Sequence, residues 1–541
     1  MNEGLKIRVN WAWRVTEGFR RKLCLSMFLQ TISALLLLSF IYLSKIAIDI
    51  ALHVVNGNLR QTLIFLVFFV IASIITDLMA SWISEYVRNG MLIRLQNRLA
   101  YSQLLLPWEK TRCWRTGDML VRLNSDCADV TQMLVNTIPS FIVTCIKLIA
   151  SFSLLWAMDP ILAQLILAIT PLFLFSKIYY KKMRRITKDV KKAESDVGNV
   201  LQENLKFRSL IQALLFTESR SSKLSDTQDW FFRMKTKQLK FATLSQGILR
   251  MTFYGGYLLA FLWGIYRLHA GEISYGTMAA FLQLVSRVQM PVFSMVAIFP
   301  ATIRFRTSVE RLLEMSKGEH ETYENQLRLN PPLTLELHQL SYRYDELEVI
   351  KQLNVVFQSG IPTAVTGASG KGKTTLIRLI LALIKPDSGR LLLTQDGISH
   401  EVSVATRNNI TYVPQGNTLF CGTIRENLLP DAELASDERI EEVLKTSCAE
   451  FVYSLPDGID TMIGESGHGL SEGQAQRIAI ARALLRGGSI WLLDEPTASL
   501  DQNTVKQLVP NLLNIGKEKI IIFVTHDRYL MESCTQIVQL D

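Results

Sequence analysis

The sequence predicts a membrane α-helical bundle of six transmembrane helices with long cytoplasmic extensions, followed by an α/β domain. Hydrophobic residues make up 49% of the 541 residues, and the mean hydropathy is +0.20. Within about the first 305 positions these residues collect in runs of roughly 20, the length that crosses a bilayer as a helix. After residue 332, short apolar runs alternate with helical stretches, which is typical of an α/β domain.

Six apolar runs are candidate membrane spans. They are Leu23–Ile48, Thr62–Ile83, Ile138–Met158, Ile161–Ile178, Ile248–Leu268 and Thr277–Pro300. The links after the second and fourth runs are long and rich in Lys and Arg, and excess positive charge marks the cytoplasmic side of a membrane. We therefore expect a multi-pass integral protein surrounded by lipid in a bacterial plasma membrane, with both termini and both long links in the cytoplasm. This topology accounts for the net charge of +9 without a nucleic-acid partner.

A phosphate-binding loop follows a predicted strand, Ile361–Thr366, in the α/β part. The stretch Gly367–Thr374 fits G-x-x-x-x-G-K-[ST], with a predicted strand before it and a predicted helix after it. Loop amides converge on phosphates at a helix N-terminus, Lys373 adds positive charge, and the Thr374 hydroxyl suits Mg²⁺. The residues predicted to hold the nucleotide here are Gly367, Ala368, Ser369, Gly370, Lys371, Gly372, Lys373, Thr374 and Thr375.

A buried-type strand ending in two acids, Ser489–Glu495, is the second signal for nucleotide chemistry. About 120 residues after a phosphate loop, such acids are suited to metal and water. Asp494 is predicted to hold Mg²⁺, and Glu495 to polarise the attacking water.

The chain then divides by composition. We predict a cytoplasmic N-terminal segment at 1–22, a transmembrane domain at 23–305, a charged linker at 306–332 and a nucleotide-binding domain at 333–541. The seven cysteines form no C-x-x-C pair, so we expect reduced thiols without a metal.

The α/β part resembles the ATP-binding cassette family. The stretch Leu470–Gln474 resembles its LSGGQ signature, and further short motifs match its Q-loop at Gln415, its D-loop at Ala498–Asp501, its switch histidine at His526 and its adenine-stacking aromatic at Tyr344. Gly464–Gly467 resembles a loop that exporters of the family use between subunits. Thr116–Asp118 with Asn124 and Asp126, and Gln202–Glu203, resemble the two intracellular loops of an exporter-type (type IV) membrane domain.

The resemblance implies a P-loop NTPase cassette on a half-transporter, with ATP and Mg²⁺ as cofactors. Glu495, His526, Lys373 and Gln415 would be the catalytic set, and Thr374, Gln415 and Asp494 the metal set. Two cassettes would close face to face, so that Ser471, Gly473 and Gln474 bind the nucleotide of a second half-transporter, identical or different. Glu472 stands where the family usually has glycine, and its effect is left open.

The transported substrate is expected to be amphipathic, such as a lipid, a peptide or a drug-like molecule, moved outward by alternating access. An exporter-fold importer, for example of a metal chelate, and an ATP-gated channel or regulator are the alternatives, although Glu495 and His526 argue against pure gating. Charged groups within spans are costly and usually face the bundle interior. We therefore name Lys147 and Arg287 as candidates for lining the substrate cavity.

Overall fold

The computed structural model describes residues 10–112, 114, 116–169, 176–296, 298–316, 318, 320–323, 326–368, 370–428, 435–464 and 469–540. The chain forms two compact units. One comprises Met1–Tyr101 and Arg115–Lys317, and the other comprises Ser102–Trp114 and Gly318–Asp541. The segment Ser102–Trp114 thus belongs by its contacts to the second unit, although it lies within the range predicted for the membrane domain.

Most of the described residues before 316 are helical. In chain order the helices are α1 (Arg20–Ala51), α2 (Leu59–Leu104), α3 (Trp108–Thr111), α4 (Thr116–Val121), α5 (Cys127–Gln132), α6 (Ile138–Met158), α7 (Pro160–Ile169), α8 (Ser176–Lys206), α9 (Arg208–Ala213), α10 (Thr217–His269), α11 (Tyr275–Val296) and α12 (Ile298–Met315). Two π-helical turns, Arg122–Asp126 and Met133–Thr137, join α4, α5 and α6 into one continuous rod.

Within the described residues, three helical stretches are long and apolar enough to cross a membrane: Arg20–Ala51, Leu59–Leu104 and Asp118–Met158. They contain the first three predicted spans. The fourth begins in α7 and runs into residues 170–175, outside the described residues. The fifth lies within α10, and the sixth lies in α11 and α12, with residue 297 outside the described residues. As predicted, the helices extend well beyond the apolar runs, since α2 continues to Leu104 and α10 begins at Thr217.

Helix α11 lies at the centre of the membrane unit, where it packs against α1, α6 and α10. Phe281, Leu284, Leu155 and Ile41 are buried at these contacts. By contrast, large apolar side chains on α2, such as Phe68, point outward and are exposed. Exposing apolar surface to water costs roughly 25 cal/mol per Å². A lipid environment around α2 explains why these side chains face outward.

The residues that resemble the first intracellular loop are held by a polar network inside the membrane unit. Arg311 of α12 donates to Asp118 at 2.6 Å and pairs with Asp126 at 3.2 Å. Ser308 donates to the other oxygen of Asp126 at 2.9 Å. Because Asp126 and Ser308 are both buried, the hydrogen bond from Ser308 and the ion pair with Arg311 hold the loop residues against α12.

The second unit contains two main sheets. Its strands are β1 (Thr334–Tyr344), β2 (Leu347–Gln358), β3 (Thr363–Thr366), β4 (Ser388–Gln395), β5 (Ile398–Glu401), β6 (Ile410–Val413), β7 (Gly422–Thr423), β8 (Met462–Ile463), β9 (Ile490–Asp494), β10 (Ile520–Val524) and β11 (Gln536–Gln539). Its longer helices are α13 (Lys373–Ile380), α14 (Ile424–Leu428), α15 (Asp437–Thr446), α16 (Glu472–Arg486), α17 (Gln502–Ile515) and α18 (Arg528–Glu532).

A parallel sheet with the order β11-β3-β10-β9-β6 forms the core, beside an antiparallel sheet with the order β2-β1-β4-β5. Every residue of β9 and β10 is buried, as expected for parallel strands covered on both faces. Since β3, β10 and β9 are neighbours, their carboxyl ends meet at one edge. The phosphate loop, His526 and Glu495 follow these three ends, so the topology brings them together.

Candidate nucleotide site

The phosphate loop leaves β3 and turns directly into α13. Gly367 and Gly372 have φ angles of +152° and +89°. A Cβ on Gly367 would lie 2.7 Å from the carbonyl oxygen of Leu540, and one on Gly372 would lie 3.1 Å from Val349. The loop therefore needs glycine at both positions. Ser369 lies outside the described residues.

The Lys373 ammonium is the centre of the observed site. It donates to the carbonyl oxygens of Gly367 and, at 3.2 Å, Ala368, and it lies 3.0 Å from Nε2 of His526. Because an ammonium can only donate, Nε2 of His526 is the acceptor in this contact. The interaction joins the phosphate loop to the residue that follows β10, so two predicted site residues meet.

Glu495 completes this cluster from β9. Its Oε1 lies 3.8 Å from Nε2 of His526, and its side chain is only 15% exposed. The residue has a φ of +47°, which is strained for a side chain other than glycine and is typical of functional positions. Its backbone N–H donates to the carbonyl of Val524 at 2.8 Å. This bond to β10 fixes the direction in which the carboxylate leaves the strand.

Asp494, the preceding acid, is buried at the end of β9 with 8% exposure. Burial raises the pKa of its carboxyl to about 6, the negative charge of Glu495 adds to the rise, and Lys373 opposes it. Burial, together with the charge of Asp494, also raises the pKa of Tyr412 to about 12. Lys373 thus compensates the charge of Asp494 only in part, and a divalent ion bound beside this acid would stabilise its ionised form further.

We predict that Asp494→Asn stabilises the nucleotide-free protein near pH 7.5. The folded-state pKa of about 6 exceeds the ordinary value of 3.8, so the ionised carboxylate destabilises the fold above pH 6. This cost is about 1–3 kcal/mol, and it disappears as the pH falls towards 4. The melting temperature of the variant should therefore exceed that of wild type at pH 7.5, with a gap that closes on acidification. A less stable variant, or a gap that does not change with pH, would contradict the assignment.

The signature stretch begins α16. Ser471 is the N-cap: its hydroxyl accepts from the Gln474 backbone N–H at 3.2 Å, and the Gln474 side chain accepts from the Ser471 N–H at 2.9 Å. This capping box explains Ser and Gln at that spacing. A Cβ on Gly473 would lie 2.5 Å from the carbonyl oxygen of Ser499, so only glycine allows the D-loop so close. Glu472 is exposed in the first turn, where the helix dipole favours a carboxylate.

Tyr344 lies at the end of β1, half-buried against the core of the cassette. Its hydroxyl accepts from Arg378 at 2.9 Å, and its ring packs T-shaped against Tyr342 with centroids 4.9 Å apart. Sequence reasoning missed Arg378, although five residues place it about one and a half turns beyond Lys373 on α13. It also missed Arg112 and Trp108 of the α3 region, which contact Tyr344 and Arg378 respectively. No motif indicated either residue.

The other predicted residues are placed as follows. Gln415 is exposed just after β6, Lys371 and Thr374 are exposed at the loop, and Thr375 is buried at the start of α13. In Gly464–Gly467, residues 465–467 lie outside the described residues. Asp501 caps α17 by accepting from the backbone N–H groups of Asn503 and Thr504.

In the membrane unit, the exposed side chain of Lys147 interacts electrostatically with Asp77 and Arg287. The roles assigned to all these residues stay predictions.

Comparison with known proteins bears on the whole chain. A family model described as the ABC transporter transmembrane region matches residues 23–292, and one described as ABC transporter matches residues 350–498. Together they span most of the sequence. The chain belongs to the ABC transporter family. Its cassette is therefore an ATP-binding domain, and its helical part makes it an integral membrane protein.

Relatives of this ABC transporter match it along most of both chains. A Rickettsia felis protein, provisionally described as an export ATP-binding/permease protein, is 28% identical and covers 85% of this chain and 82% of its own. The uncharacterised ABC transporter ATP-binding protein YfiC of Bacillus subtilis is 25% identical, with 98% and 89% covered. A Staphylococcus aureus protein, provisionally described as a multidrug export ATP-binding/permease protein, is 25% identical, with 88% and 84% covered.

Among solved structures, a bacterial Atm1-family ABC exporter with ATP bound superimposes with a TM-score of 0.81. Sequence identity is 19%, and the match covers 96% of this transporter and 94% of that chain. This likeness shows the fold. The predicted fold class and the resemblance to exporter-type half-transporters are thus confirmed: one membrane domain and one cassette lie on the same chain.

Proposed function

We propose that this transporter works as a dimer that hydrolyses ATP, with Mg²⁺, to export an amphipathic substrate. The observation that carries the proposal is the convergence of Lys373, His526 and Glu495 at the carboxyl ends of three neighbouring parallel strands. A cation for phosphates, an imidazole and a carboxylate beside one glycine-rich loop are the groups that phosphoryl transfer to water requires.

The residues present fit a magnesium ion. Asp494 supplies a buried carboxylate and Thr374 an exposed hydroxyl beside the loop, and Mg²⁺ prefers such oxygen ligands. Gln415 is the third candidate ligand. When bound, the ion would neutralise charge on the phosphates. The raised pKa of Asp494 supports this fit, because a buried carboxylate without a cation is unfavourable.

Each residue of the chain then has a separate task. Lys373 exchanges its contacts with the carbonyls of Gly367 and Ala368 for phosphate oxygens. Glu495 accepts a proton from the attacking water, and the imidazole of His526 holds the terminal phosphate. These residues bind the nucleotide from one side. The donors on its other side come from the signature stretch of the second cassette, at the positions of Ser471, Gly473 and Gln474. ATP therefore favours only states in which two cassettes meet, which couples binding to movement of the membrane domains.

The proposed location is the plasma membrane of a bacterium, with the cassette in the cytoplasm, because the basic links favour that side. The names of the Rickettsia and Staphylococcus relatives favour export. Lys147 interacts electrostatically with Arg287 and with Asp77. Two cations and one carboxylate carry a net positive charge, which favours a substrate with an anionic group. The proposed cargo is therefore an anionic amphiphile, such as a lipid, an acidic peptide or a drug-like acid.

Purified protein in lipid vesicles tests this proposal. With the cassette outside, ATP should drive uptake of an anionic amphiphile into the vesicles, and the amphiphile should stimulate ATPase activity. We predict that Arg287→Ala removes most of the stimulation and keeps the basal ATPase rate, because Arg287 belongs to the membrane unit and the nucleotide motifs belong to the other unit. Arg250→Ala, which removes another exposed arginine of the membrane unit, is the matched control. ATP-driven release of the amphiphile from preloaded vesicles would support import. Unchanged stimulation in Arg287→Ala would contradict the role of that residue.

A further inference from the structure

A cation covers the aromatic ring proposed to stack on adenine. The guanidinium carbon of Arg112 lies over the ring of Tyr344, 4.8 Å from its centroid. Both residues belong to the same compact unit. This distance is within the range of an attractive cation–π interaction. The segment that contains α3 thus reaches the nucleotide-binding part of the chain at its proposed base-binding residue.

Tyr344 has limited room for a base. Its ring packs against the core of the cassette, Tyr342 contacts it T-shaped, and Arg378 binds its hydroxyl. These contacts fix the orientation of the ring and leave the outward side for a ligand. The exposed side chain of Arg112 lies over the ring, where a planar base would stack. A guanidinium and an adenine cannot occupy the same face at once.

We propose that Arg112 competes with the adenine base for the face of Tyr344, so that binding of the base displaces the guanidinium. The proposal rests on the proposed role of Tyr344 in stacking adenine. It makes Arg112 a residue that sets nucleotide affinity, because ATP must break the contact between Arg112 and Tyr344 before its base can stack.

The rest of the segment has its own anchors, so the exchange is local. Arg378 lies over the ring of Trp108 at 4.3 Å, and the Tyr342 hydroxyl donates to Glu109 at 3.4 Å. The backbone N–H of Glu321 donates to the carbonyl of Leu105 at 2.7 Å. Because these contacts do not involve the face of Tyr344, release of Arg112 leaves the segment docked. Nucleotide occupancy therefore changes the position of one cation at the end of α3.

The test compares a ligand with a base and a ligand without one. Full-length protein in lipid is titrated with ATP and with inorganic tripolyphosphate in the presence of EDTA, which prevents hydrolysis, and binding is read by displacement of a ribose-labelled fluorescent ATP. If Arg112 acts only by its charge, its removal should lower the affinity for both ATP and tripolyphosphate. If Arg112 competes with the base, its removal should instead raise the affinity for ATP. We expect Arg112→Ala to bind ATP about two- to five-fold more tightly, the worth of an exposed cation–π contact, with tripolyphosphate affinity unchanged or lower.

Two further variants complete the test. Lys110→Ala removes an exposed cation from the same short helix and should not tighten ATP binding. Tyr344→Ala should weaken ATP and leave tripolyphosphate unchanged. If Tyr344→Ala weakens ATP but Arg112→Ala does not tighten it, the competition is wrong and the stacking role stands. If Tyr344→Ala does not change the affinity for ATP, both the stacking role of Tyr344 and the competition by Arg112 are wrong. Equal tightening of the two ligands in Arg112→Ala also overturns the proposal.

Discussion

Replacing Glu495 by glutamine is expected to lower the ATPase rate by about 10²- to 10⁴-fold, the usual contribution of a general base, while ATP binding stays within a few-fold of wild type. Glutamine has the same shape but cannot accept the proton of the attacking water. The strained backbone and the bond from the Glu495 N–H to Val524 do not depend on the carboxylate, so the side chain should keep its position.

Steady-state ATPase and equilibrium ATP binding check this expectation on the same preparation. Since ATP is proposed to favour states in which two cassettes meet, a variant that does not hydrolyse ATP should also retain it in such a dimer after free nucleotide is removed. The matched control is Glu518→Gln, which changes an exposed carboxylate before β10 and should leave the rate unchanged. An ATPase rate equal to wild type in Glu495→Gln would show that another group activates the water.

Replacing Lys373 by alanine is expected to weaken ATP binding about 10- to 100-fold. This range corresponds to the roughly 1.5–3 kcal/mol of a hydrogen bond to a charged group. The ammonium already lies between the loop carbonyls and His526, so it needs only a small movement to meet a phosphate. Hydrolysis should be lost together with binding.

Lys371→Ala provides the comparison within the same loop. Its side chain is exposed, and its backbone N–H donates to Ala368 at 3.3 Å, a bond that alanine keeps. The substitution therefore removes one positive charge without removing the contact to His526. We expect a loss of ATP affinity much smaller than that of Lys373→Ala. Equal losses would mean that the loop acts through its overall charge and that the position of Lys373 is unimportant.

The sequence alone predicted the parts of the cassette that depend on strand ends. The phosphate loop, the two acids at the end of β9 and His526 each follow a short apolar run. Parallel strands that are neighbours place their ends at one edge, so residues separated by about 150 positions could be expected to meet. The contact between Lys373 and His526 is a consequence of this topology.

Other features had no sequence signal, for physical reasons. The contacts of Arg112 with Tyr344 and of Arg378 with Trp108 depend on tertiary position, and a cation beside an aromatic ring has no periodic pattern. For the same reason the sequence did not indicate that Ser102–Trp114 belongs to the second unit. The π-helical turn Met133–Thr137 was also missed, because one extra residue in a turn hardly alters helical periodicity.

We propose that two copies of this chain complete each ATP site, and an experiment that mixes two disabled variants tests this proposal. Lys373→Ala disables the loop side of a site. Ser471→Asp disables the signature side by placing a carboxylate near the partner's triphosphate, yet it keeps a good N-cap for α16. Ser436→Asp, at the N-cap of α15, is the control for the added charge and should keep wild-type activity.

Each disabled variant alone should hydrolyse ATP at a small fraction of the wild-type rate. Co-expressed and co-purified as a mixed dimer, they should recover a substantial part of it, because one of the two sites then combines an intact Lys373 with an intact Ser471 from the other subunit. A mixed dimer as inactive as its parents, or full activity in either variant alone, would contradict a site shared between two copies.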